Sequence, residues 1–276
     1  MINPRARIDL AYVGTAFHGW QIQPALRTVQ GELTAMLSRL LDRPCQAAGA
    51  GRTDTGVHAR GQVAHAELRN DAEVARVCGA LAKLAPDDMH ILAVREVSPA
   101  FDARFSATAR RYSYRLRWSR NIFDPHAFEV FRTMDRMAMD AACRRILGTH
   151  DFASMCKTGS LKDDNTCCVD LCALEWGDEG CIFNIRANRF LHHMVRNLVA
   201  LLLEVGQGLR QPEDIDAVLA ARDRSAAGKM APARGLYLEE VSYPEPLLDP
   251  GYLPPDFIPR PGSTTGSNAA SEGDEA

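Results

Sequence analysis

The stretch Ala-Gly-Arg-Thr-Asp-Thr-Gly-Val-His-Ala at residues 50–59 places an acid and a cation between two glycines. Gly51 and Gly56 allow backbone turns and close approaches that residues with a side chain resist, so a tight loop is predicted here. Arg52 and Asp54 on such a loop are candidates for chemistry. An aspartate in a glycine-rich turn is also a common turn-capping residue, and these residues alone leave both interpretations open.

Strand-like segments lie on both sides of this loop. A short apolar run at residues 45–50 precedes it, and residues 62–68 alternate between apolar and polar side chains, which is the period of a half-buried strand. Asp54 is therefore expected on a loop between two strands. The other elements predicted for the first half are a strand at residues 8–12, helices after the N-caps Thr28 and Asp71, and a strand at residues 91–97.

The second half repeats this plan loosely, without a sequence repeat. Its most strongly predicted helix covers residues 189–205, where Leu191, Val195, Leu198 and Leu202 form a broad apolar stripe. We therefore expect a second α/β half. Its other predicted elements are strands at residues 109–118, 169–176, 181–187 and 235–243, a helix at residues 139–147 that ends at Gly148, and a short helix after Pro212.

Residues 245–276 differ in composition from the rest of the chain. They contain six prolines, six acidic residues and one basic residue, a formal charge of −5. Because the whole chain carries −3, residues 1–244 carry +2 and are mildly basic. We predict an extended or disordered acidic, proline-rich tail, with folded structure that stops near Tyr243.

A basic and aromatic segment lies in the middle of the chain, at residues 101–120, where Asp102 is the one acid. Arginines that contact phosphates, interleaved with rings that stack on bases, favour nucleic-acid binding. An exposed strand with solvated arginines has the same composition, so this segment alone does not decide. Arg110 and Arg111 are candidate substrate-binding residues. The other members are Arg104, Arg115, Arg117 and Arg120, with Phe101, Phe105, Tyr112, Tyr114 and Trp118 between them.

The size and composition of the chain indicate a folded protein of one or two domains. It has 276 residues, of which 46% are hydrophobic, enough for a sizeable core. No apolar run approaches the length of a membrane span, and the first residues lack the apolar region of a signal peptide. A cytoplasmic protein with no membrane partner is expected.

The eight cysteines are scattered and do not form the framework of a small disulfide-bonded protein, so reduced thiols are expected. Cys167, Cys168 and Cys172, with Cys156 and Cys181 nearby, are close enough in sequence to be considered as zinc ligands. They contain no C-x-x-C pair, and alternation along a strand would place Cys168 and Cys172 on one face. Structural thiols are therefore favoured, and no metal is predicted.

Five segments resemble the tRNA pseudouridine synthase A family in the same order, and the resemblance extends over residues 8–243. The first is the loop at residues 50–59, which resembles the family's signature loop. A chance match of five long segments at compatible spacing is very improbable. The other four are YVGTAFHGWQIQP at residues 12–24, FDARFSATARRYSY at 101–114, ANRFLHHMVRN at 187–197 and PARGLYL at 232–238.

The resemblance implies an α+β pseudouridine synthase fold, in which two related α/β halves join their mostly antiparallel sheets, carry flanking helices and form a central RNA-binding cleft. We expect an N-terminal half at residues 1–104 with the aspartate loop, a C-terminal half at 105–244 and the tail at 245–276. Members of this family are isomerases and act as homodimers. They convert uridines at positions 38, 39 and 40 of the tRNA anticodon stem-loop to pseudouridine, without a metal or organic cofactor.

The resemblance also implies roles for individual residues. Asp54 matches the catalytic carboxylate, which either attacks C1′ or removes the 2′ proton as the glycosidic bond breaks. Tyr112 matches the tyrosine that stacks on the target uracil and takes part in removing the C5 proton. Arg196 matches the basic partner of the aspartate, and we predict a salt bridge between the two. Arg52 matches the residue that helps to extrude the base, and Leu236 matches the apolar wall beneath the uracil, although it also suits plain core.

His192 and His193 are neighbours on the predicted helix at residues 189–205. Adjacent helical side chains project about 100° apart, so a shared metal ion is not expected. Packing or RNA contact is favoured for both.

Two functions from other classes stay open at this point. One is a noncatalytic RNA-binding protein of the same fold. The other is a thiol- or zinc-dependent hydrolase that uses residues 156–181, and it predicts sensitivity to chelators or thiol alkylation.

Overall fold

The computed structural model describes residues 2–257. Its first half contains four strands and two helices, and the loop with Asp54 lies between the second and third strands, as predicted. The elements are β1 (Arg5–Tyr12), α1 (Val29–Leu41), β2 (Ala48–Gly49), β3 (His58–Glu67), α2 (Asp71–Ala80) and β4 (Met89–Val97).

The second half, as far as residue 257, contains six strands and three helices. They are β5 (Ala109–Arg117), β6 (Phe128–Glu129), α3 (Arg136–Ile146), β7 (Gly148–Asp151), β8 (Thr166–Trp176), β9 (Gly180–Ala187), α4 (Met194–Gly206), α5 (Asp214–Ala221) and β10 (Leu236–Ser242).

The ten strands described above form one mixed sheet, in the order β4-β1-β3-β10-β5-β9-β8-β7, with β2 beside β3 and β6 beside β5. Pairing is antiparallel except between β10 and β3 and between β5 and β6. The α+β fold class with a mostly antiparallel sheet is therefore confirmed. Strands from the two halves meet where β10 lies between β3 and β5, and this junction brings the loop before β3 close to β5. The expected boundary between residues 104 and 105 falls between β4 and β5 and stays a prediction.

Side-chain caps set the starts of α1 and α2. Thr28 caps α1 as predicted, and its hydroxyl accepts from the Gly31 N–H at 3.2 Å. The cap of α2 is Asn70, one residue before the predicted Asp71, because the Asn70 side chain accepts from the N–H of Glu73 at 3.0 Å. Within residues 2–257, no helix combines the length and the apolar character needed to cross a membrane.

Helix α4 begins at Met194, so the prediction of a helix from residue 189 is wrong in its first turn. His193 has φ +72°, in the left-handed region, which a helix cannot continue through. The carbonyl of His192 accepts instead from the N–H of Lys157 at 2.9 Å, a long-range contact that the local sequence does not reveal. His192 and His193 therefore lie on a turn before the helix.

Strand β8 contains a bulge that changes which side chains share a face. Its register with β9 shifts between Val169 and Leu171. Cys168 is exposed whereas Cys172 is buried, so the prediction that they occupy one face of the strand is wrong. The extra residue of a bulge breaks the two-residue alternation.

Folded structure continues beyond Tyr243, which corrects the prediction that it stops there. Residues Glu245–Leu248 form a 3₁₀ turn, and Leu247 and Leu248 pack against the core. Ser98, which follows β4, donates through its N–H to the carbonyl of Leu247 at 3.3 Å and through its hydroxyl to the carbonyl of Tyr252. The remainder of the predicted tail, residues 258–276, lies outside the described residues.

The basic and aromatic segment at residues 101–120 is only partly available to a ligand. Phe101 and Tyr114 are fully buried, whereas Phe105 is exposed. Arg117 pairs with Asp124 at 2.9 Å. Strand β5 is thus a central strand with buried rings, and its composition alone overstates the surface available to nucleic acid.

Candidate active site

The loop that carries Asp54 is attached to its surroundings by its own backbone. The N–H of Ala50 donates to the carbonyl of Val63 at 2.7 Å, and the carbonyl of Thr53 accepts from the N–H of Trp20 at 3.0 Å. Gly56 has φ +78°, the left-handed conformation that glycine adopts without strain. The Trp20 side chain is buried, so it serves the core. These contacts hold the Asp54 backbone between the N-terminal segment and β3.

A buried hydrogen-bond network lies behind the same loop. The hydroxyls of Tyr12 and Thr53 are 2.8 Å apart, and the Gln62 amide donates to the carbonyl of Gly51 at 3.0 Å. Burial raises the pKa of Tyr12 to about 12, so its hydroxyl stays protonated at neutral pH. This network was not predicted from the sequence. Its one signal is that Tyr12 and Gln62, both able to hydrogen-bond, lie in segments predicted as strands, and both side chains are buried here.

Asp54 meets Arg196 although 142 positions separate them. Arg196 Nη1 donates to Asp54 Oδ2 at 2.7 Å, so the predicted salt bridge is present. The side chains of Arg196 and Asp54 are 12% and 18% exposed, respectively. Arg196 Nε also donates to the carbonyl of Ala231 at 2.8 Å, which orients the guanidinium. A fixed cation therefore stabilises the negative charge of a largely desolvated carboxylate.

Two imidazoles complete the surroundings of Asp54. His192 Nε2 is 3.4 Å from Asp54 Oδ1, and His193 Nε2 is 3.5 Å from Oδ2. The turn before α4 brings both rings to one carboxylate, which overturns the helix-based argument that they point in different directions. Burial lowers the pKa of His193, and the Asp54 carboxylate opposes this effect.

Tyr112, on β5, is 9% exposed, and its ring meets the edge of Phe190 at a centroid distance of 5.1 Å. Burial raises the pKa of Tyr112 well above its ordinary value, and the nearby Asp54 charge adds to the effect. The side chain is thus a neutral phenol beside the carboxylate. Leu236, the first residue of β10, is also buried and pairs in register with Tyr114 on β5, two residues along the strand from Tyr112.

The Arg110 guanidinium is occupied by backbone groups. It donates to four carbonyls: Ala50 at 3.1 Å, Arg104 at 2.6 Å, Ala107 at 3.1 Å and Asn188 at 3.0 Å. Burial lowers the pKa of Arg110. Its predicted role in substrate binding stays a prediction, but the observed contacts give it a structural task, since they join the start of the Asp54 loop to the segment before α4.

The other two candidate arginines are more accessible. Arg52 is exposed, and its side chain makes no hydrogen bond or ion pair with any residue in the range 2–257. Arg111 Nε pairs with Glu240 at 3.4 Å on the surface. A free guanidinium two residues before Asp54 is well placed to contact a ligand.

The cysteines do not form a second site in the described part of the chain. Burial raises the pKa of Cys167 to about 11 and that of Cys181 to about 12, which disfavours the reactive thiolate. Between residues 2 and 257, the only group of three His, Cys, Asp or Glu side chains close enough to share an ion is Asp54, His192 and His193.

Comparison with known proteins assigns the chain to a family. The family described as tRNA pseudouridine synthase matches residues 10–106 and 142–244, more than half of the chain. The tRNA pseudouridine synthase A of Azorhizobium caulinodans is 43% identical over 256 residues, which cover 90% of this chain and 98% of the relative. That of Xanthobacter autotrophicus is 42% identical, over 87% of this chain and 100% of the relative.

A third, slightly less similar relative carries the same name. The tRNA pseudouridine synthase A of Bacillus pumilus is 39% identical, over 87% of this chain and 99% of the relative. Overlap with the crystal structure of the archaeal box H/ACA sRNP Nop10-Cbf5 complex is low, with a TM-score of 0.34 and 12% identity over 72% of this chain and 44% of that one. From the match over most of its length and the identity to full-length relatives, this chain belongs to the tRNA pseudouridine synthase family.

Proposed function

We propose that this chain is an isomerase that converts uridine to pseudouridine at positions 38, 39 and 40 of the tRNA anticodon stem-loop. The reaction breaks the N1–C1′ bond and forms a C5–C1′ bond, while C5 loses a proton and N1 gains one. Atoms and charge balance without a redox partner, so a carboxylate and proton-transfer groups are sufficient. The observation that carries the proposal is the Asp54 carboxylate, paired with Arg196 at 2.7 Å in a largely desolvated site of a family member.

Asp54 is the catalytic carboxylate in this proposal. It either attacks C1′ as a nucleophile or removes the 2′ proton, and both routes start from the ionised form. Arg196 supports both routes because its guanidinium stays charged and donates to one carboxylate oxygen only. The other oxygen, Oδ1, accepts no hydrogen bond from Arg196 and is the reactive atom that we propose.

Tyr112 supplies the stacking surface for the uracil ring. Its raised pKa keeps it protonated at neutral pH, and a neutral phenol is a weak base. Stacking therefore suits Tyr112 better than direct removal of the C5 proton. Leu236, buried on the adjacent strand β10, forms the apolar wall beneath the base in this proposal.

Arg52 takes the place of the extruded nucleotide. A paired uridine must leave the helical stack before its glycosidic bond is accessible, and the vacated space needs a group that compensates for the lost contacts. The Arg52 guanidinium suits this role because it is exposed and unpaired within the described residues. Phosphate contacts from other arginines that reach solvent, including the partly exposed Arg111, then supply sequence-independent affinity.

We also propose that the chain acts in the cytoplasm as a homodimer, with tRNA as its partner and no metal or organic cofactor. The proposal rests on family membership. Size-exclusion chromatography with light scattering measures the oligomeric state directly, and a monomeric mass in the active preparation would contradict the dimer.

The test of the proposed function is a comparison of native protein with Asp54→Asn on tRNA that lacks pseudouridine. Carbodiimide treatment and reverse transcription locate the product by position. We expect product from the native protein, none from Asp54→Asn, and similar tRNA affinity for both, since many arginines share the binding. Turnover by Asp54→Asn near the native rate would refute the catalytic role. Binding without product by the native protein would support a noncatalytic RNA-binding protein instead.

A further inference from the structure

We propose that Asp54, His192 and His193 form a binding site for one divalent transition-metal ion, such as Zn²⁺, and that the bound ion inhibits catalysis. The inhibitory consequence rests on the proposed catalytic role of Asp54. The binding site itself rests only on the geometry of the three side chains.

The separations between the three side chains match those of ligands on a small ion. Zn²⁺ binds imidazole nitrogen and carboxylate oxygen at about 2.1 Å, and two ligands of a tetrahedral site are then about 3.4 Å apart. Asp54 Oδ1 and His192 Nε2 are 3.4 Å apart, and Asp54 Oδ2 and His193 Nε2 are 3.5 Å apart. One ligand atom from each of the three residues lies within 4.8 Å of the others. Because Arg196 holds Oδ2, the ion binds Oδ1, and a side-chain rotation that turns His193 Nε2 from Oδ2 toward Oδ1 brings all three ligands to one ion.

The backbone and a neighbouring side chain orient the imidazoles for this task. The left-handed conformation of His193 places both histidines on a turn, and the hydrogen bond from Lys157 to the carbonyl of His192 fixes that turn. Ser160 Oγ lies 3.2 Å from His192 Nδ1, so Nε2 is the nitrogen that faces Asp54. A hydrogen bond on the second ring nitrogen is the usual support of a metal-binding histidine.

The chemistry of the ligands selects the class of ion. Two imidazoles and one carboxylate oxygen suit Zn²⁺, Ni²⁺, Co²⁺ and Cu²⁺, whereas Mg²⁺ and Ca²⁺ prefer sites built from oxygen. The side chain of His192 is 43% exposed, so an ion has access from solvent. Three protein ligands leave further coordination positions for water.

Arg196 explains why this ion acts as an inhibitor that binds weakly rather than as a resident cofactor. Its guanidinium holds Asp54 Oδ2 at 2.7 Å, so an ion must use Oδ1 beside a fixed positive charge. Bound there, the ion occupies the oxygen that we propose as the reactive atom. Removal of the Arg196 charge should therefore tighten metal binding while it impairs catalysis, a combination that distinguishes this site from a catalytic metal centre.

Binding of Zn²⁺ alone, without RNA, tests the site by titration calorimetry. The protein should be untagged and carry Cys78→Ser and Cys168→Ser, since these are the two exposed thiols in the described range. We expect one ion per chain. His192→Gln, His193→Asn and Asp54→Asn should each weaken binding at least about tenfold, and Arg196→Met or Arg196→Gln should tighten it at least about tenfold. His90→Gln, on the edge strand β4, is the matched control.

The melting temperature of each variant without metal checks that it folds, and asparagine at position 193 tolerates the left-handed conformation. The proposed site would be overturned if no Zn²⁺ binds. It would also be overturned if Zn²⁺ binds with the same affinity to both histidine variants and to Arg196→Met.

Turnover of tRNA by the Cys78→Ser/Cys168→Ser protein should fall with added Zn²⁺ and return with chelator. Binding at the site without loss of turnover would overturn the inhibition. Failure of the proposed function is recognised by a separate measurement: in the presence of chelator, Asp54→Asn would turn over tRNA at the same rate as the native protein.

Discussion

Arg196 Nη1 and Asp54 Oδ2 are 2.7 Å apart and connect the first turn of α4 to the loop before β3. The same guanidinium donates to the carbonyl of Ala231, so it is held from two directions. Because the ion pair is largely buried, loss of one member leaves the other charge without compensation.

Arg196→Met should impair turnover more than tRNA binding and lower the free energy of unfolding by about 3 kcal/mol, the cost of an unpaired, mostly buried charge. Arg196→Lys retains the charge and should keep part of the activity. The Asp54→Asn/Arg196→Met double variant should be more stable than Arg196→Met, because it no longer buries an unpaired carboxylate. Chemical denaturation and single-turnover assays measure these effects. Normal turnover by Arg196→Met would eliminate the pairing role.

Residues 245–257 should contribute to stability. A chain that ends at Pro244 loses the packing of Leu247 and Leu248 and the hydrogen bonds of Ser98, whereas a chain that ends at Phe257 keeps them. Burial of these two leucines contributes about 2 kcal/mol to the free energy of unfolding, so the shorter chain should melt several degrees below the longer one. Equal melting temperatures would show that these contacts add nothing to the fold.

The Asp54–Arg196 contact could be predicted from the sequence because both residues lie in long segments that resemble one family. Strands β1 and β3 could be predicted because their sequences alternate between apolar and polar side chains, and β1 shows the matching alternation in burial. These predictions depend on local periodicity or on resemblance, and both are visible in the sequence.

The errors have tertiary causes. The start of α4 depends on the left-handed turn at His193 and on a hydrogen bond from Lys157, and neither is encoded by the apolar stripe of the helix. The network of Tyr12, Thr53 and Gln62 requires knowledge of which strands are neighbours. Leu247 has no periodic apolar partners nearby in sequence, so its docking beside Ser98 could not be predicted.

Chelators and thiol reagents should leave activity unchanged. A zinc-dependent hydrolase predicts loss of activity with chelators and a thiol-dependent one predicts loss with thiol reagents, whereas the proposed synthase mechanism uses neither a metal nor a thiolate. Cys78 and Cys168 are the exposed cysteines of the described range, and alkylation should reach them first. Mass spectrometry of the alkylated protein, together with pseudouridine mapping, checks both points. Stoichiometric zinc in active protein, with activity lost on its removal, would reverse this conclusion.

His58 should make stability depend on pH. It follows the Asp54 loop, is 1% exposed, and accepts through Nδ1 from the N–H of Gly14 at 3.1 Å. Burial lowers its pKa from 6.5 to about 4. As the pH falls below 6.5 the unfolded chain binds a proton that the folded chain resists, so the stabilisation is complete above pH 6.5 and is lost progressively toward pH 4.

Complete loss of the stabilisation that neutral His58 provides lowers the free energy of unfolding by about 3 kcal/mol. His58→Asn keeps an acceptor side chain but does not titrate, so its unfolding free energy should change less than that of the native protein between pH 7 and about 4.5. His90→Gln, an exposed histidine on β4, serves as the control and should behave like the native protein. Urea denaturation at the two pH values measures the difference. The same pH dependence in the native protein and His58→Asn would contradict this assignment.

Arg110 and Arg111 are adjacent on β5 but should have different effects when changed to glutamine. Arg110 donates to the carbonyls of Ala50 and Asn188, which belong to the two segments that carry Asp54 and the histidines. Arg110→Gln should therefore lower the melting temperature and reduce turnover more than tRNA affinity, since the loop loses its attachment. Arg111 lies nearer the surface beside Glu240, and Arg111→Gln should leave folding intact.

A titration of tRNA affinity against salt concentration distinguishes the contributions of Arg110 and Arg111 to RNA binding. A side chain that neutralises one phosphate contributes roughly one to the slope of log affinity against log salt concentration. Arg111→Gln should reduce that slope by roughly one, because its guanidinium reaches solvent. Arg110→Gln should leave the slope unchanged, because its donors are occupied by backbone carbonyls. A reduced slope in Arg110→Gln with an unchanged melting temperature would instead make Arg110 a phosphate contact and remove its proposed role in holding the Asp54 loop.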